Sequence, residues 1–418
     1  MTDASRFSGG HCLPRNYAEE LLIIDRGSGV WLYDRGGNRY LDMGSGIAVN
    51  ALGYGREDLA EIASAQMRKV IHVSNLYTTE PTLQLARHLA DAQIGAWNPD
   101  FGAVHFGNSG AEANEAAIKY ARVYAQRTHG PQKHKLLGFH NGFHGRTLGA
   151  LSLTYTPKYR TPFEPLLPGC VFAPFNDGAA LEAALDDSFA GVIVEVVQGE
   201  GGLACMTPQF AESLNRLCRK HKVLLIADEV QTGLGRTGNL FGSEAVGLHP
   251  DIVSLSKPLG GGLPLSATLI NRRINDVLEI GDHGTTFGGG PVTAAVALRV
   301  WQIIADPAFL VDVRHRASHL EHCLRELARR FDFTGQPCGM GLLRGLPVQA
   351  AERRLPDVMT AILTAARDRG LLLLRSGSNV IRIAPPLVIS EREIDEGCAI
   401  LESSLRAVAT QFKGELHE

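Results

Sequence analysis

At 418 residues the chain is longer than one hydrophobic core usually spans, so a large domain with a smaller companion is expected. An apolar fraction of 44%, a charged fraction of 20% and a formal charge of -3 exclude a disordered chain or a polycation that would seek nucleic acid. No apolar run approaches the roughly 20 residues of a membrane-spanning helix, and the leading MTDASRFSGGHCLPRNY has no basic segment followed by an apolar one, so a cytoplasmic protein is expected.

From the N-terminus, LLIID, VWLYD and RYLDM alternate with turns at Arg26-Gly27-Ser28-Gly29 and Arg35-Gly36-Gly37-Asn38, the pattern of a small antiparallel sheet. Residues 1–59 are therefore expected to form the first part of a small domain. Over residues 60–310 the apolar runs AVHFG, KLLGF, GVIVEVV, VLLIADE, DIVSLS and SATLI alternate with helical patterns such as AEANEAAIKYARVYAQR and PQFAESLNRLCRKH. Strands without polar alternation, separated by amphipathic helices, predict a mostly parallel α/β sheet covered on both faces. Residues 311–418 return to helices around LLLLRS and VIRIAPP, a second α/β layer able to pack with the N-terminal part. The cysteines Cys12, Cys170, Cys205, Cys218, Cys323, Cys338 and Cys398 are scattered and never in C-x-x-C spacing, which suits reduced structural thiols.

Three segments carry chemistry. In VHFGNSGAEANEAAIKYAR a strand runs through Asn108-Ser109-Gly110-Ala111 directly into a helix; Ser109 and Glu112 have capping-box spacing, and the free N–H groups of a helix start make an anion site. Plain capping is the structural alternative. In VLLIADEVQTG the strand ends at Asp228, followed by Glu229 and Gln231, where open α/β sheets bind ligands. A carboxylate there is either a turn residue or the group that keeps a pyridine nitrogen protonated. In DIVSLSKPLGGGLPLSA, Lys257 follows another strand; desolvation would lower its pKa and free the amine to attack an aldehyde, the alternatives being a snorkelling or phosphate-binding lysine. A Walker loop is excluded, because G-x-x-x-x-G-K-[ST] does not occur around Lys257. Gly233-Leu234-Gly235-Arg236-Thr237-Gly238 satisfies G-x-G-x-x-G, yet five residues separate it from the strand and no strong helical pattern opens on it, which argues against a dinucleotide fold and an NAD(P) oxidoreductase.

These runs, with GSGIAVNALGYG, HVSNLYTTEP, FHGRTLGALS, VEVVQGEGG, HGTTFGGGP and NVIRIAPPLVI in that order, resemble the class III (ω-) aminotransferases of pyridoxal-phosphate (PLP) fold type I, most closely the acetylornithine aminotransferases. The resemblance implies a large domain on a mostly parallel seven-stranded sheet, a smaller α/β domain from both chain ends, PLP as cofactor and a homodimer with active sites at the subunit interface. It implies a phosphate cup of Ser109, Gly110 and Ala111, completed by Thr286 of the partner subunit, and a cofactor ring between Phe143 and Val230. Asp228 would pair with the ring nitrogen, Gln231 with the phenolic oxygen, and Lys257 would carry the cofactor as a Schiff base and then shuttle the proton. Glu195 would order the nearby network.

For substrates, Arg146 is similar to the clamp on the substrate carboxylate and Arg382 to the residue that binds the α-carboxylate of 2-oxoglutarate, with Glu200 as the gate that pairs with Arg382 while an ω-amine donor is bound. Their structural alternative is a pair of surface or interdomain ion pairs. Ile47 stands where ornithine aminotransferases carry a tyrosine, which argues against free ornithine. Gly290 replaces an asparagine usual in the family, GLLRGLPV is an uncommon variant, and ALSLTYTPKYRTPFEPLLPG resembles 4-aminobutyrate aminotransferases. The expected reaction moves the ω-amino group of N2-acetylornithine, or a related ω-amino acid, to 2-oxoglutarate. The rival readings are a 4-aminobutyrate or other ω-amine transaminase, a racemase on the same scaffold, and a catalytically silent binding protein.

Overall fold

The computed structural model describes Pro14, Asn16 and residues 22–412. Cys12, Leu21 and most of the leading segment discussed above lie outside the described residues. The strands β1 (Ile24–Ser28), β2 (Trp31–Asp34) and β3 (Arg39–Asp42) form the expected antiparallel sheet. The turn expected at Arg26–Gly29 is displaced, because β1 runs through Gly27 and Ser28. Gly27 faces the Tyr54 side chain so closely that a Cβ would come within 2.6 Å of it, so this glycine permits close packing rather than a turn.

The centre of the molecule is a seven-stranded sheet of β4 (Phe101–Gly107), β5 (Lys135–Phe139), β6 (Cys170–Ala173), β7 (Phe189–Glu195), β8 (Leu224–Asp228), β9 (Ile252–Leu255) and β10 (Ser266–Asn271), in the order β4-β10-β9-β8-β7-β5-β6. All pairings among β5 to β9 are parallel, and β10 runs against both its neighbours. Every residue of β7, β8, β9 and β10 is buried, as helices on both faces require, and this is why these segments read as unbroken apolar runs. Strand β6, an edge strand of four residues with a mixed burial pattern, lacks that signal and escaped the sequence reading.

A second, antiparallel sheet is built from β11 (Cys338–Met340), β12 (Leu343–Pro347), β14 (Leu374–Ser376) and β15 (Val380–Ile383). The single run LLLLRS divides into β13 (Leu371–Leu372) and β14, which belong to different sheets. Leu371 and Leu372 of β13 pair in parallel with Leu41 and Asp42 of β3, so the two chain ends share one sheet. Cys170, Cys205, Cys218, Cys323, Cys338 and Cys398 are free thiols. Among the described residues no single helix is long and apolar enough to cross a membrane.

Candidate active site

Because β4 and β9 both run against β10, the carboxyl ends of β4, β5, β7, β8 and β9 lie along one edge of the sheet. That edge gathers Ser109 after β4, Phe143 after β5, Glu195 at the end of β7, Asp228 at the end of β8 and Lys257 just after β9. Asp228 lies beside Ser254 in the β8–β9 pairing, and Lys257 follows three residues later, close enough for the carboxylate to act on its charge. Burial first, and the charge of Arg382 next, pull the Lys257 ammonium down to about 8. Its backbone is strained: φ is +32°, the entrance to a short 3-10 turn over Lys257–Gly260. A lysine held this way is a neutral amine from about pH 8 upward, well below the range in which an ordinary lysine loses its proton.

Asp228 is buried and almost fully engaged. Its Oδ2 accepts from Asn114 Nδ2 at 2.8 Å and from His144 Nδ1 at 2.7 Å, and its Oδ1 accepts from the Val230 amide at 3.1 Å. Burial opposes a charged His144 ring, but the hydrogen bond and charge of Asp228 outweigh it and raise the His144 pKa. Asn114 also donates to the His144 carbonyl at 2.8 Å, so the helix Gly110–His129 is tied to both partners. Sequence reasoning gave no role to Asn114 or His144. An asparagine on the buried face of an alanine-rich helix was the available signal, since buried amides need partners.

At the start of that helix, Ser109 Oγ accepts from the Glu112 amide at 3.3 Å. The reciprocal half of the expected capping box goes elsewhere: the Glu112 carboxylate accepts from the backbone and side-chain amides of Asn108. A Cβ on Gly110 would come within 2.6 Å of Val230 Cγ1, so this glycine lets the helix start and Val230 close in on one another. Phe143 is partly buried, and its amide donates to Glu195 Oε1 at 2.9 Å while the Gly199 amide donates to Glu195 Oε2 at 3.0 Å. Desolvation raises the Glu195 carboxyl to about 7.

Arg382 arrives from the other sheet, on β15. Its Nη1 donates to Glu200 Oε1 at 2.5 Å, to the Gly199 carbonyl at 3.0 Å and to Gln231 Oε1 at 3.3 Å, while its buried Nε has no partner among the described residues. Gly199 leaves room for the Gln231 side chain, since a Cβ there would fall 1.9 Å from Gln231 Nε2 and push the amide aside. Arg146 is exposed, with its guanidinium 3.5 Å from the centre of the Tyr159 ring and 5.6 Å from that of Phe143. Ile47 is exposed in a left-handed turn over Ser45–Ala48, an uncommon conformation for a β-branched residue. Thr286 is exposed on the loop before the helix Pro291–Ile304. The G-x-G-x-x-G segment is a chain of turns with Arg236 buried inside, and no helix opens on it; the geometry of a dinucleotide site is absent there.

A desolvated amine, a hydrogen-bonded carboxylate and a helix start with a close glycine, converging on one sheet edge, are the donor set that fits PLP: aldehyde, pyridine nitrogen and phosphate each meet a matching group. Fold and site thus define a protein of the type I PLP-enzyme class. Comparison with known proteins agrees: residues 12–405 match the aminotransferase class-III family. Acetylornithine aminotransferase from Neisseria meningitidis serogroup B is 42% identical over 397 residues, covering 95% of this chain and 98% of its own length. Acetylornithine/succinyldiaminopimelate aminotransferase from Photorhabdus laumondii is 42% identical over 387 residues, 92% of this chain and 94% of its own. Ornithine aminotransferase from Toxoplasma gondii, solved with partial occupancy of PLP at its active site, superposes with a TM-score of 0.89 at 30% identity, covering 96% of this chain and 94% of its own. The chain belongs to the class-III aminotransferases.

Proposed function

We propose that this aminotransferase takes the ω-amino group of N2-acetylornithine, or of a related ω-amino acid, and passes it to 2-oxoglutarate to give glutamate and a semialdehyde. The observation that carries the reading is the Glu200–Arg382 ion pair beside Lys257, a buried guanidinium with a half-buried carboxylate as its removable partner. With Glu200 in place, Arg382 is neutralised and the site suits a donor whose reacting end has no carboxylate. With Glu200 turned away, the Arg382 charge is released, and its unpartnered Nε beside Nη2 suits a bidentate carboxylate, as the keto acid requires. The similarity to acetylornithine aminotransferases supports the choice of donor.

When bound, PLP supplies an aldehyde that takes up the amino group and a ring that withdraws electrons from the adjacent carbon. Ser109, Gly110 and Ala111 hold its phosphate at the helix start, and Phe143 and Val230 enclose the ring. Asp228 keeps the ring nitrogen protonated, with His144 and Asn114 fixing the carboxylate, and Gln231 donates to the phenolic oxygen. Lys257 anchors the cofactor and then removes and returns the proton on the substrate carbon. Arg146 clamps the distal carboxylate of the donor, and Ile47 lines the pocket where the acyl-bearing end lies.

A homodimer completes the site, with Thr286 of the partner subunit reaching the phosphate. Leu76 (89% exposed), Tyr77 (75%) and Phe287 (67%) support this reading, because they form an apolar surface around Thr286 that a monomer would not leave in water. Asn75 donates to the Thr285 carbonyl at 2.9 Å and Thr82 to that of Gly289 at 2.9 Å, so both segments belong to one surface. Residues 60–310 form the large domain, 1–59 and 311–418 the small one, and the enzyme works in the cytoplasm.

The purified enzyme should be assayed with acetylornithine, ornithine, 4-aminobutyrate and a D-amino acid, each with and without 2-oxoglutarate. Glutamate should form fastest from acetylornithine, and Lys257→Ala should lower turnover by at least about 10^3-fold. Glutamate from none of the amines, or inversion of an amino acid without the keto acid, would overturn the proposal.

A further inference from the structure

Away from the sheet edge, two cysteines far apart in sequence meet between two helices. His319 and Cys323 lie four residues apart on the helix Pro307–Arg330, and Asp395 and Cys398 three apart on the helix Glu391–Gln411. Both spacings put the pair on one helix face, and the two faces look at each other. His319 Nε2 lies 2.7 Å from Asp395 Oδ1, and Cys323 Sγ lies 3.7 Å from that nitrogen and 3.6 Å from that oxygen. The three ligand atoms fall within 4.8 Å of one another, and the buried Cys398 thiol lies close enough to Cys323 to act on its charge.

We propose that His319, Cys323 and Asp395 bind one thiophilic divalent cation, Zn2+ by its chemistry, with water as the fourth ligand, and so clip the two helices together. Tetrahedral zinc with bonds of about 2.0 Å to N and O and 2.3 Å to S separates its sulfur and N or O ligands by about 3.5 Å, close to both sulfur separations here. The nitrogen–oxygen distance is shorter than a shared metal would set it, because a hydrogen bond now joins the two, and a small rotation of the exposed Asp395 side chain opens it. A thiolate and an imidazole select zinc over magnesium or calcium, which prefer an all-oxygen shell. Cys323 supplies the thiolate by releasing one proton to solvent, His319 binds through Nε2 as the neutral ring, and no electrons move. Side-chain exposures of 27% for His319 and 60% for Asp395 leave a route in from water.

The test uses the full-length holoenzyme under a thiol-sparing reductant, dialysed against micromolar Zn2+ and analysed for metal by mass spectrometry, with affinity from competition against a chromophoric chelator. One zinc per chain is expected in wild type, and Zn2+ should raise its Tm. The double variant Cys323→Ser and Cys398→Ser should take up none and show no Tm response, while keeping aminotransferase activity. His319→Ala should weaken binding by at least the roughly 10- to 100-fold that loss of a mere outer-sphere partner costs, and Asp395→Cys should retain the metal. A variant that misfolds is revealed by lost activity, and the Asp395→Cys result then still decides. Zinc uptake that is equal in wild type and the double serine variant, or absent from reduced wild type, overturns the proposal. So does a Cys323–Cys398 disulfide formed under peroxide by a reduced protein that binds no zinc.

Discussion

Single side chains in the site work against their ordinary preferences. A lysine whose folded pKa lies at about 8, below its ordinary 10.5, has its charged form destabilised by folding. The folded apoprotein therefore binds fewer protons than the unfolded chain between those values, so this group costs stability below about pH 8 and the cost fades as pH rises toward 10.5. The neutral amine is the reactive form. The rate of PLP uptake by apoenzyme, followed by visible absorbance, should rise with pH and level off above about 8, whereas an unperturbed lysine would keep accelerating toward 10.5. Glu200 is the second case. Glu200→Gln removes the charge opposite Arg382. In separate half-reactions followed by stopped flow, the amine-donor step should slow by about tenfold or more while 2-oxoglutarate binds more tightly; equal effects on both would mean the pair is structural only.

At the scale of the element, loop ends are set by carboxylates that close strands. Glu195 terminates β7 and receives the amides of Phe143 and Gly199, so one side chain positions the loop carrying Phe143 and the loop carrying Glu200. Both carboxylate oxygens are acceptors. Glu195→Gln would point an N–H2 donor at one of those amides, leaving a buried donor unsatisfied at a cost of about 1–3 kcal/mol. Denaturant unfolding should report that loss, and PLP should bind more weakly; an unchanged midpoint would show that the loops hold without it. The same scale explains which elements could be read in advance. Strands β7 to β10 announce themselves through unbroken burial, whereas β6 and the division of LLLLRS between β13 and β14 depend on which neighbour each short strand finds.

For the whole molecule, the site is assembled from distant parts of the chain. Arg382 on β15 reaches Gly199, Glu200 and Gln231 at the edge of the central sheet, and the pairing of β13 with β3 brings the N-terminal sheet alongside the C-terminal segment. The proposed dimer would extend this logic, with the apolar surface around Thr286 as its seam. Leu76→Asp together with Tyr77→Asp should shift the enzyme from dimer to monomer in light scattering and weaken PLP binding with it. A dimer that persists, or a monomer that binds PLP undiminished, would count against the shared site.

Much of this was legible in the residues alone: the parallel α/β layer from apolar runs, the helix start at Ser109-Gly110-Ala111, and the strand-end positions of Asp228 and Lys257, because each depends on neighbours within a few residues. What only the tertiary structure decided are relations between distant segments. Asn114 and His144 became partners of Asp228, Glu112 turned to Asn108 instead of closing the capping box, Gly27 became a packing contact, and Cys323 met Cys398. Local chemistry is written in adjacent residues. Which side chains satisfy a buried charge is settled only when the strands and helices that carry them come together.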